Sequence, residues 1–321
     1  MNKKIKKAGL AAGFAAAAAG FLAFENNALT VSRIRLTSPK IPRGERMRIV
    51  LVSDLQSKRF GKAQHRLVKK IASCMPDVIF FAGDMPDRNH TDFGACRELI
   101  KGLGTVAPAY YVNGNHESSL GDELVNSMYE YMERCGWTIL SDKGCAAHIM
   151  SRIKAGTSYK IAIAGISQET LNESRGWDRT SPVHDVELIA EAGRKAVREA
   201  KAAAGAGDAF TALLVHEPQF VSDYAESGAD LIVCGHAHGG QIRIPGTGIG
   251  LFAPEQGILP KYTSGIYDCN GTKMAVSRGL GNSTFPFRVF NRPEIVVMDV
   301  DSADADRVKS AGFLYRENPH L

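Results

Sequence analysis

Five short motifs rich in oxygen and imidazole donors each follow an apolar, strand-like run, and this repetition limits the fold more than any other feature of the chain. They are Asp54-Leu55-Gln56, Gly83-Asp84-Met85-Pro86-Asp87, Gly114-Asn115-His116-Glu117, His216-Glu217 and Gly235-His236-Ala237-His238. A short apolar run bounded by polar residues reads as a buried strand. Polar residues at the ends of such strands gather at one edge of an α/β sheet, where sites form. One Ser-Asp or Gly-Asp alone is a helix cap or a turn. Five such motifs in this order, after five strands, instead suit a pair of divalent cations held by shared carboxylates, an amide and imidazoles. That is the apparatus of metal-assisted phosphoester hydrolysis.

Apolar runs predict strands at 29–36, 47–53, 77–82, 109–112, 138–140, 146–151, 160–166, 210–215, 230–234, 241–244, 273–277 and 295–300. Helical spacing predicts helices at 65–74, 92–103, 122–135, 181–204 and 219–227. Alternating strands and helices, then strands in succession, imply an α/β protein of two sheets packed face to face with helices outside. The Gly/Pro-rich stretch 245–265 reads as a long loop near the site.

Four lysines, Lys3, Lys4, Lys6 and Lys7, precede an uncharged run from Ala8 to Phe24. Its length is at the short end for a membrane span. It reads as a retained signal anchor or a cleaved signal peptide. No clear Ala-x-Ala site follows it, which favours the anchor. The expected organisation is residues 1–25 as the signal segment, 26–46 as linker and first strand, and 47–321 as the catalytic domain. The lysines would stay cytoplasmic, leaving that domain outside the cell membrane, or secreted if the segment is cleaved. Net charge is +5, most of it in the tail, and no basic stripe with aromatics calls for a nucleic acid. No obligate protein partner is evident. The six cysteines include no Cys-x-x-Cys pair and read as free thiols.

Asp84 is the candidate bridging ligand, with Asp54 on one metal. Asn115 offers a carbonyl oxygen, and His116 a proton donor near a leaving oxygen. His216, His236 and His238 cluster after two apolar strands as imidazole ligands. Gly239 and Gly240 would let backbone approach metal or substrate. Arg278 and Arg288 are candidates for binding phosphate oxygens, or else for surface salt bridges.

Taken together, these motifs resemble the calcineurin-like metallophosphoesterase superfamily over about residues 47–300. The nearest likeness is to bacterial membrane-anchored members, through Gly-His-Ala-His-Gly-Gly-Gln at 235–241, Pro-Lys-Tyr-Thr-Ser-Gly at 260–265, Ser-Arg-Gly-Leu-Gly-Asn at 277–282 and Asn-Arg-Pro-Glu at 291–294. The resemblance implies a four-layer α/β/β/α sandwich. It implies one metal on Asp54, Asp84 and His238, and a second on Asp84, Asn115, His216 and His236. His116 would be the proton donor, oriented by Asp87. Some relatives act as UDP-2,3-diacylglucosamine pyrophosphatases in lipid A synthesis, and others as exported phosphoesterases. The expected substrate is thus a phosphodiester or pyrophosphate, with a lipid-linked one suggested by the anchor. One departure stands out: Gln56 replaces the family's histidine. Its amide oxygen suits Mg2+ or Mn2+ better than Zn2+ or Fe, so two ions with Mn2+ foremost are expected. The same glutamine motivates an alternative, a membrane-tethered scaffold of this fold with weakened catalysis.

Overall fold

The computed structural model describes residues 3–176, 183–283, 285–303 and 315–316. It opens with a long helix, α1 (Lys3–Asn27), whose 19-residue stretch Gly9–Asn27 is apolar and long enough to cross a membrane and is largely unburied. The chain then enters the first sheet through β1 (Thr30–Ser38) and β2 (Arg46–Val52). A β-α-β progression follows: α2 (His65–Ser73), β3 (Val78–Ala82), α3 (Phe93–Gly104), β4 (Ala109–Val112), α4 (Asp122–Arg134) and β5 (Trp137–Ile139). The second sheet is built from β6 (Lys143–Met150), β7 (Ser158–Gly165), α5 (Gln168–Arg175), α6 (Val186–Ala204), β8 (Thr211–Leu214), α7 (Val221–Ala225) and β9 (Leu231–Cys234). After it come a small hairpin of β10 (Phe252–Ala253) and β11 (Gly257–Ile258), then β12 (Gly265–Cys269), β13 (Thr272–Val276), β14 (Glu294–Ser302) and β15 (Tyr315–Arg316).

One sheet has strand order β15-β1-β14-β2-β3-β4-β5 and the other β12-β13-β9-β8-β7-β6. Their facing sides share one core, in which Ile49 and Leu51 of β2 are buried in the same cluster as Ile161, Ile163, Leu214 and Val233 of the second sheet. A second core lies under α2, α3 and α4, and a third under α6 and α7. The result is the four-layer α/β/β/α sandwich. β3, Val-Ile-Phe-Phe-Ala, is buried on both faces, as its continuous β-branched and aromatic run requires. The six cysteines are unpaired; Cys74, Cys96 and Cys234 are buried and the other three half-buried.

Four expectations need correction. The strand at 241–244 does not form; only isolated bridges join Ile242 to Val289 and Arg243 to Gly250. Gly239, Gly240 and Gln241 all have positive φ, which curls the chain before a strand can begin. The stretch 245–265 is not wholly loop, because it contains the β10–β11 hairpin. The long helix begins at Val186, where Asp185 caps it by accepting from the Leu188 N–H; positions 181–182 of the expected range lie outside the described residues. The helix expected at 219–227 is a short 3-10 turn from Pro218 followed by α7. Reading sequence alone also missed α5 and β12, which are short and polar enough to carry little periodic signal.

Candidate metal centre

Register brings the motifs together. Val52 of β2 pairs with Phe81 of β3, and Phe81 with Tyr111 of β4, so these three strands end side by side. In the other sheet Leu214 pairs with Val233, and Cys234 with Val276. Asp54, Asp84 and Asn115 thus project from one sheet edge toward His216, His236 and His238 from the other.

The rim is conformationally tense. Asp54, Gln56, Asp84, His236 and His238 have φ of 50°, 52°, 57°, 66° and 46°. Left-handed backbone costs a side-chain-bearing residue roughly 1 kcal/mol or more, and such residues cluster at functional sites. Glu117 clamps this arrangement: its buried carboxylate accepts the N–H groups of Asp84 (3.0 Å), Met85 (2.7 Å) and Gly114 (2.8 Å), and the Tyr111 hydroxyl (2.5 Å). Burial, and then Asp84, push its carboxyl up. Glycine is obligatory at two points. A Cβ at Gly83 would lie 2.4 Å from His216 Nδ1, and one at Gly114 would lie 2.3 Å from Asp84 Oδ1.

Two donor groups share Asp84: Asp84 with His216 and His236, and Asp84 with Asp54 and His238. Within each group the donor atoms lie within 4.8 Å of one another. In the first group His216 Nδ1 is 2.7 Å from the Ala82 carbonyl. A carbonyl only accepts, so Nδ1 carries a proton and Nε2 is the nitrogen turned to the cage, where a second proton or an ion can sit. That Nε2 is 3.3 Å from Asp84 Oδ2, 3.2 Å from Asn115 Oδ1 and 3.2 Å from His236 Nδ1. Asn115 therefore completes a four-donor cage. Burial pulls the His216 pKa down, but Asp84 and Asp54 outweigh it and push it up to about 10. Such a cage has an excess of negative charge that a proton or a cation must balance. The far nitrogen of His236, Nε2, bonds to Glu255. Burial lowers and Glu255 raises the His236 pKa, with a net upward shift. A carboxylate behind a ligating histidine fixes its tautomer and orientation.

The second group is looser. His238 Nε2 is 3.5 Å from Asp54 Oδ1. Asp54 also accepts the His236 N–H at 3.0 Å and the Ser53 hydroxyl. Burial pushes Asp54 up to about 6. Burial and then Arg288 hold His238 well below the usual imidazole range, leaving a neutral ring fit to ligate. Gln56 Nε2 donates to Asp84 Oδ2 at 2.9 Å. Gln56 Oε1 and His238 Nδ1 are buried without a hydrogen-bond partner. Buried polar atoms are almost always paired, so orphans of this kind fit an ion-binding cleft. Carboxylates, amide oxygens and neutral imidazoles together suit divalent cations. Burial alone would raise Asp84, yet His216 and His116 hold it well below the carboxylate range, as befits a carboxylate common to both donor groups.

The remaining expected residues lie as follows. His116 stands at the rim, with Nε2 3.8 Å from Asp84 Oδ2. Its Nδ1 accepts the Arg88 N–H at 3.0 Å, which puts the ring proton on Nε2. The expected Asp87–His116 bond is absent; Asp87 Oδ1 is 3.7 Å from Nδ1 and accepts its own turn's Asn89 N–H at 2.8 Å. Arg288 is fully buried, and its guanidinium donates to the carbonyls of Gly281, Asn291 and Arg278. This corrects its reading as a phosphate-contacting residue: its donors are committed to loop carbonyls. Arg278 pairs with buried Glu294 at 2.9 Å. Gly239 and Gly240 serve close packing, since a Cβ would lie 2.3 Å from Asn291 Oδ1 at the first and 2.4 Å from the Gly250 Cα at the second.

Sequence reasoning missed Glu255 and the support behind His216-Glu217. Glu217 is buried in an ion pair with Arg175 of α5 and also accepts from Gln168. Glu255 could have been suspected as the lone ionisable residue within 245–260. Arg175 and Gln168 had no such signal, because their helix was itself unread.

Comparison with known proteins identifies the family. Residues 47–240 match the family described as Calcineurin-like phosphoesterase. The chain is 26% identical over 320 residues to the uncharacterized metallophosphoesterase YkuE of Bacillus subtilis (strain 168), covering 95% of this chain and 100% of that one. It is 24% identical over 226 residues to the phosphodiesterase YaeI of Escherichia coli (strain K12), covering 70% of each. A Danio rerio transmembrane protein with metallophosphoesterase domain is 24% identical over 78% of this chain and 52% of its own. Among solved structures, the calcineurin-like phosphoesterase YfkN of Bacillus subtilis superposes with a TM-score of 0.45 at 16% identity, over 77% of this chain and 89% of that one. The match spans most of the motif-bearing strands and their donors, and the chain belongs to the calcineurin-like phosphoesterase family.

Proposed function

We propose that this protein hydrolyses a phosphodiester or pyrophosphate bond with two divalent cations, Mn2+ foremost, on a membrane-linked substrate. The observation that carries the reading is Asp84, which stands in both donor groups at once. One ion would sit among Asp84, Asn115, His216 and His236, the other among Asp54, Asp84 and His238 with Gln56 beside it. Bound there, the ions would lower the pKa of an attacking water and neutralise charge on the phosphoryl oxygens.

The chain's own residues do the rest. Asp84 and Asp54 hold the two positions at a fixed spacing. His116, protonated on Nε2 at the rim, donates to the leaving oxygen. Asp87, 3.7 Å from the ring, adds negative charge behind it. Arg278 lies near Gly239 with its guanidinium paired to Glu294, while Arg288 braces the loop beneath it. The name phosphodiesterase borne by the Escherichia coli relative supports a diester over a monoester. The apolar N-terminal helix supports a lipid-linked substrate such as UDP-2,3-diacylglucosamine, with residues 1–25 as anchor and the body outside the cell membrane.

The test is turnover by the full chain, loaded with Mn2+, on bis-p-nitrophenyl phosphate, a UDP-linked lipid and a simple monoester. Hydrolysis of the diester or the lipid pyrophosphate is expected. A folded sample that turns over none of them with any divalent cation would remove the enzyme reading and leave a tethered scaffold.

A further inference from the structure

Among the described residues, the exposed large apolar side chains concentrate in α1, in 244–259 and in 285–290. These stretches are distant in sequence but joined in space. Phe252 and Ile258 pair across β10 and β11, which puts both on one side of the hairpin. They are 52% and 81% exposed. Phe252 and Phe285 border the same hollow of about 400 Å³ beside Gln241. Phe285 meets Phe287 with ring centroids 5.9 Å apart. Farther along, Phe290 meets Phe21 of α1 at 5.4 Å. Single exposed hydrophobics are ordinary, but a contiguous apolar ridge marks an interaction surface.

The helix sets the height of this ridge. The Asn291 N–H donates to Glu25 Oε2 at 2.9 Å, the Arg288 N–H to Asn26 Oδ1 at 3.1 Å, and the Arg292 guanidinium lies over the Phe24 ring at 5.7 Å. The base of α1 is thereby pinned to the body. Glu25 is the first charge after the apolar run and is buried against that body. Phe21 lies four residues earlier, about one 5.4 Å turn inside the run. Phe290 touches it and so sits at the same depth. The run before Glu25, residues 8–24, is about 26 Å long, at the short end for a hydrocarbon core of about 30 Å. Within 244–259 the one ionisable side chain is Glu255, and it is turned to His236.

We propose that the ridge of Phe252, Ile258, Phe285, Phe287 and Phe290 inserts shallowly into the lipid bilayer beside α1, so that the metal rim opens at the membrane surface. This rests on reading α1 as an anchor. A bilayer fits better than a soluble partner because the ridge ends at Phe290, which packs against Phe21 of the spanning helix. The hairpin that carries the ridge also delivers Glu255 to His236. A substrate in the leaflet would therefore meet the metal donors without leaving the membrane.

Tryptophan probes decide the matter. The full chain carrying Phe285→Trp or Ile258→Trp is reconstituted into phosphatidylcholine vesicles with brominated acyl chains, using Met150→Trp on β6 as the exposed control. The parent chain's own tryptophan emission is subtracted. The added emission at 258 and 285 should fall by roughly half or more, as for side chains at the headgroup–acyl boundary, with no loss at 150. Floating vesicles that carry the chain while 258 and 285 are quenched no more than 150 would overturn the docking and leave the anchor standing. A chain that fails to float with vesicles would overturn both. A dimer in detergent that shields 258 and 285 without lipid would assign the ridge to a second copy, which also defeats the proposal.

Discussion

The two donor groups share Asp84 but are not built alike. The His216–His236–Asn115 side has three further donors within 3.2–3.3 Å of His216 Nε2. Its tautomers are set by the Ala82 carbonyl and by Glu255. The Asp54–His238 side has a longer closest approach, an unsatisfied Gln56 Oε1 and a ring nitrogen without a partner. Charge sharpens the contrast. Glu255 and Glu217 surround the first position and favour positive charge on His236. Arg288 acts on the second, opposing positive charge on His238. Pre-organised donors with surplus negative charge should hold an ion tightly, whereas a site with a glutamine and an opposing buried guanidinium charge should hold one weakly.

Asp84→Ala tests what the two positions have in common. It should cut kcat/KM on a diester on the order of 10³-fold, about 4 kcal/mol of transition-state stabilisation, and strip both ions. Near-normal metal content by mass spectrometry would refute the shared role. His216→Ala against His238→Ala tests the inequality. After dialysis the first variant should retain no ion and the second one ion per chain; equal loss from both would erase the distinction. Glu255→Gln should weaken the tighter ion roughly 10–100-fold by removing the carboxylate behind His236, with little effect on the other. Gln56→His should work in the opposite direction, tightening the weaker position roughly tenfold and bringing the two affinities together.

A stability effect concerns Lys58, two residues from Gln56. Burial, and then Arg288, bring its amine down to about 7. The folded chain then releases a proton near pH 7 that the unfolded chain keeps to about 10.4. Between these values the unfolded state binds more protons, so stability of the chelator-treated protein should rise with pH, by at most about 1.4 kcal/mol per pH unit. Denaturant titrations from pH 7 to 9 should show this slope, and Lys58→Met should flatten it. An unchanged slope in the variant would mean that Lys58 is solvated.

Much of this protein could be read without coordinates. Buried strands announce themselves as short apolar runs, so most of both sheets, from 47–53 to 295–300, lay within a residue or two of where they form. Elements with weak periodicity did not: α5, β12 and the β10–β11 hairpin are short and need tertiary contacts to exist. Chain order and donor chemistry were enough to nominate Asp54, Asp84, Asn115, His216, His236 and His238, because a metal ligand must be one of few residue types and must end a strand to reach a rim. Only the folded structure could show that Arg288 is spent on carbonyls, that Arg88 rather than Asp87 sets the His116 proton, that Glu255 backs His236, and that Phe290 packs against Phe21 of α1. Those facts depend on distances between segments tens to hundreds of residues apart, and a local pattern carries no information about such distances.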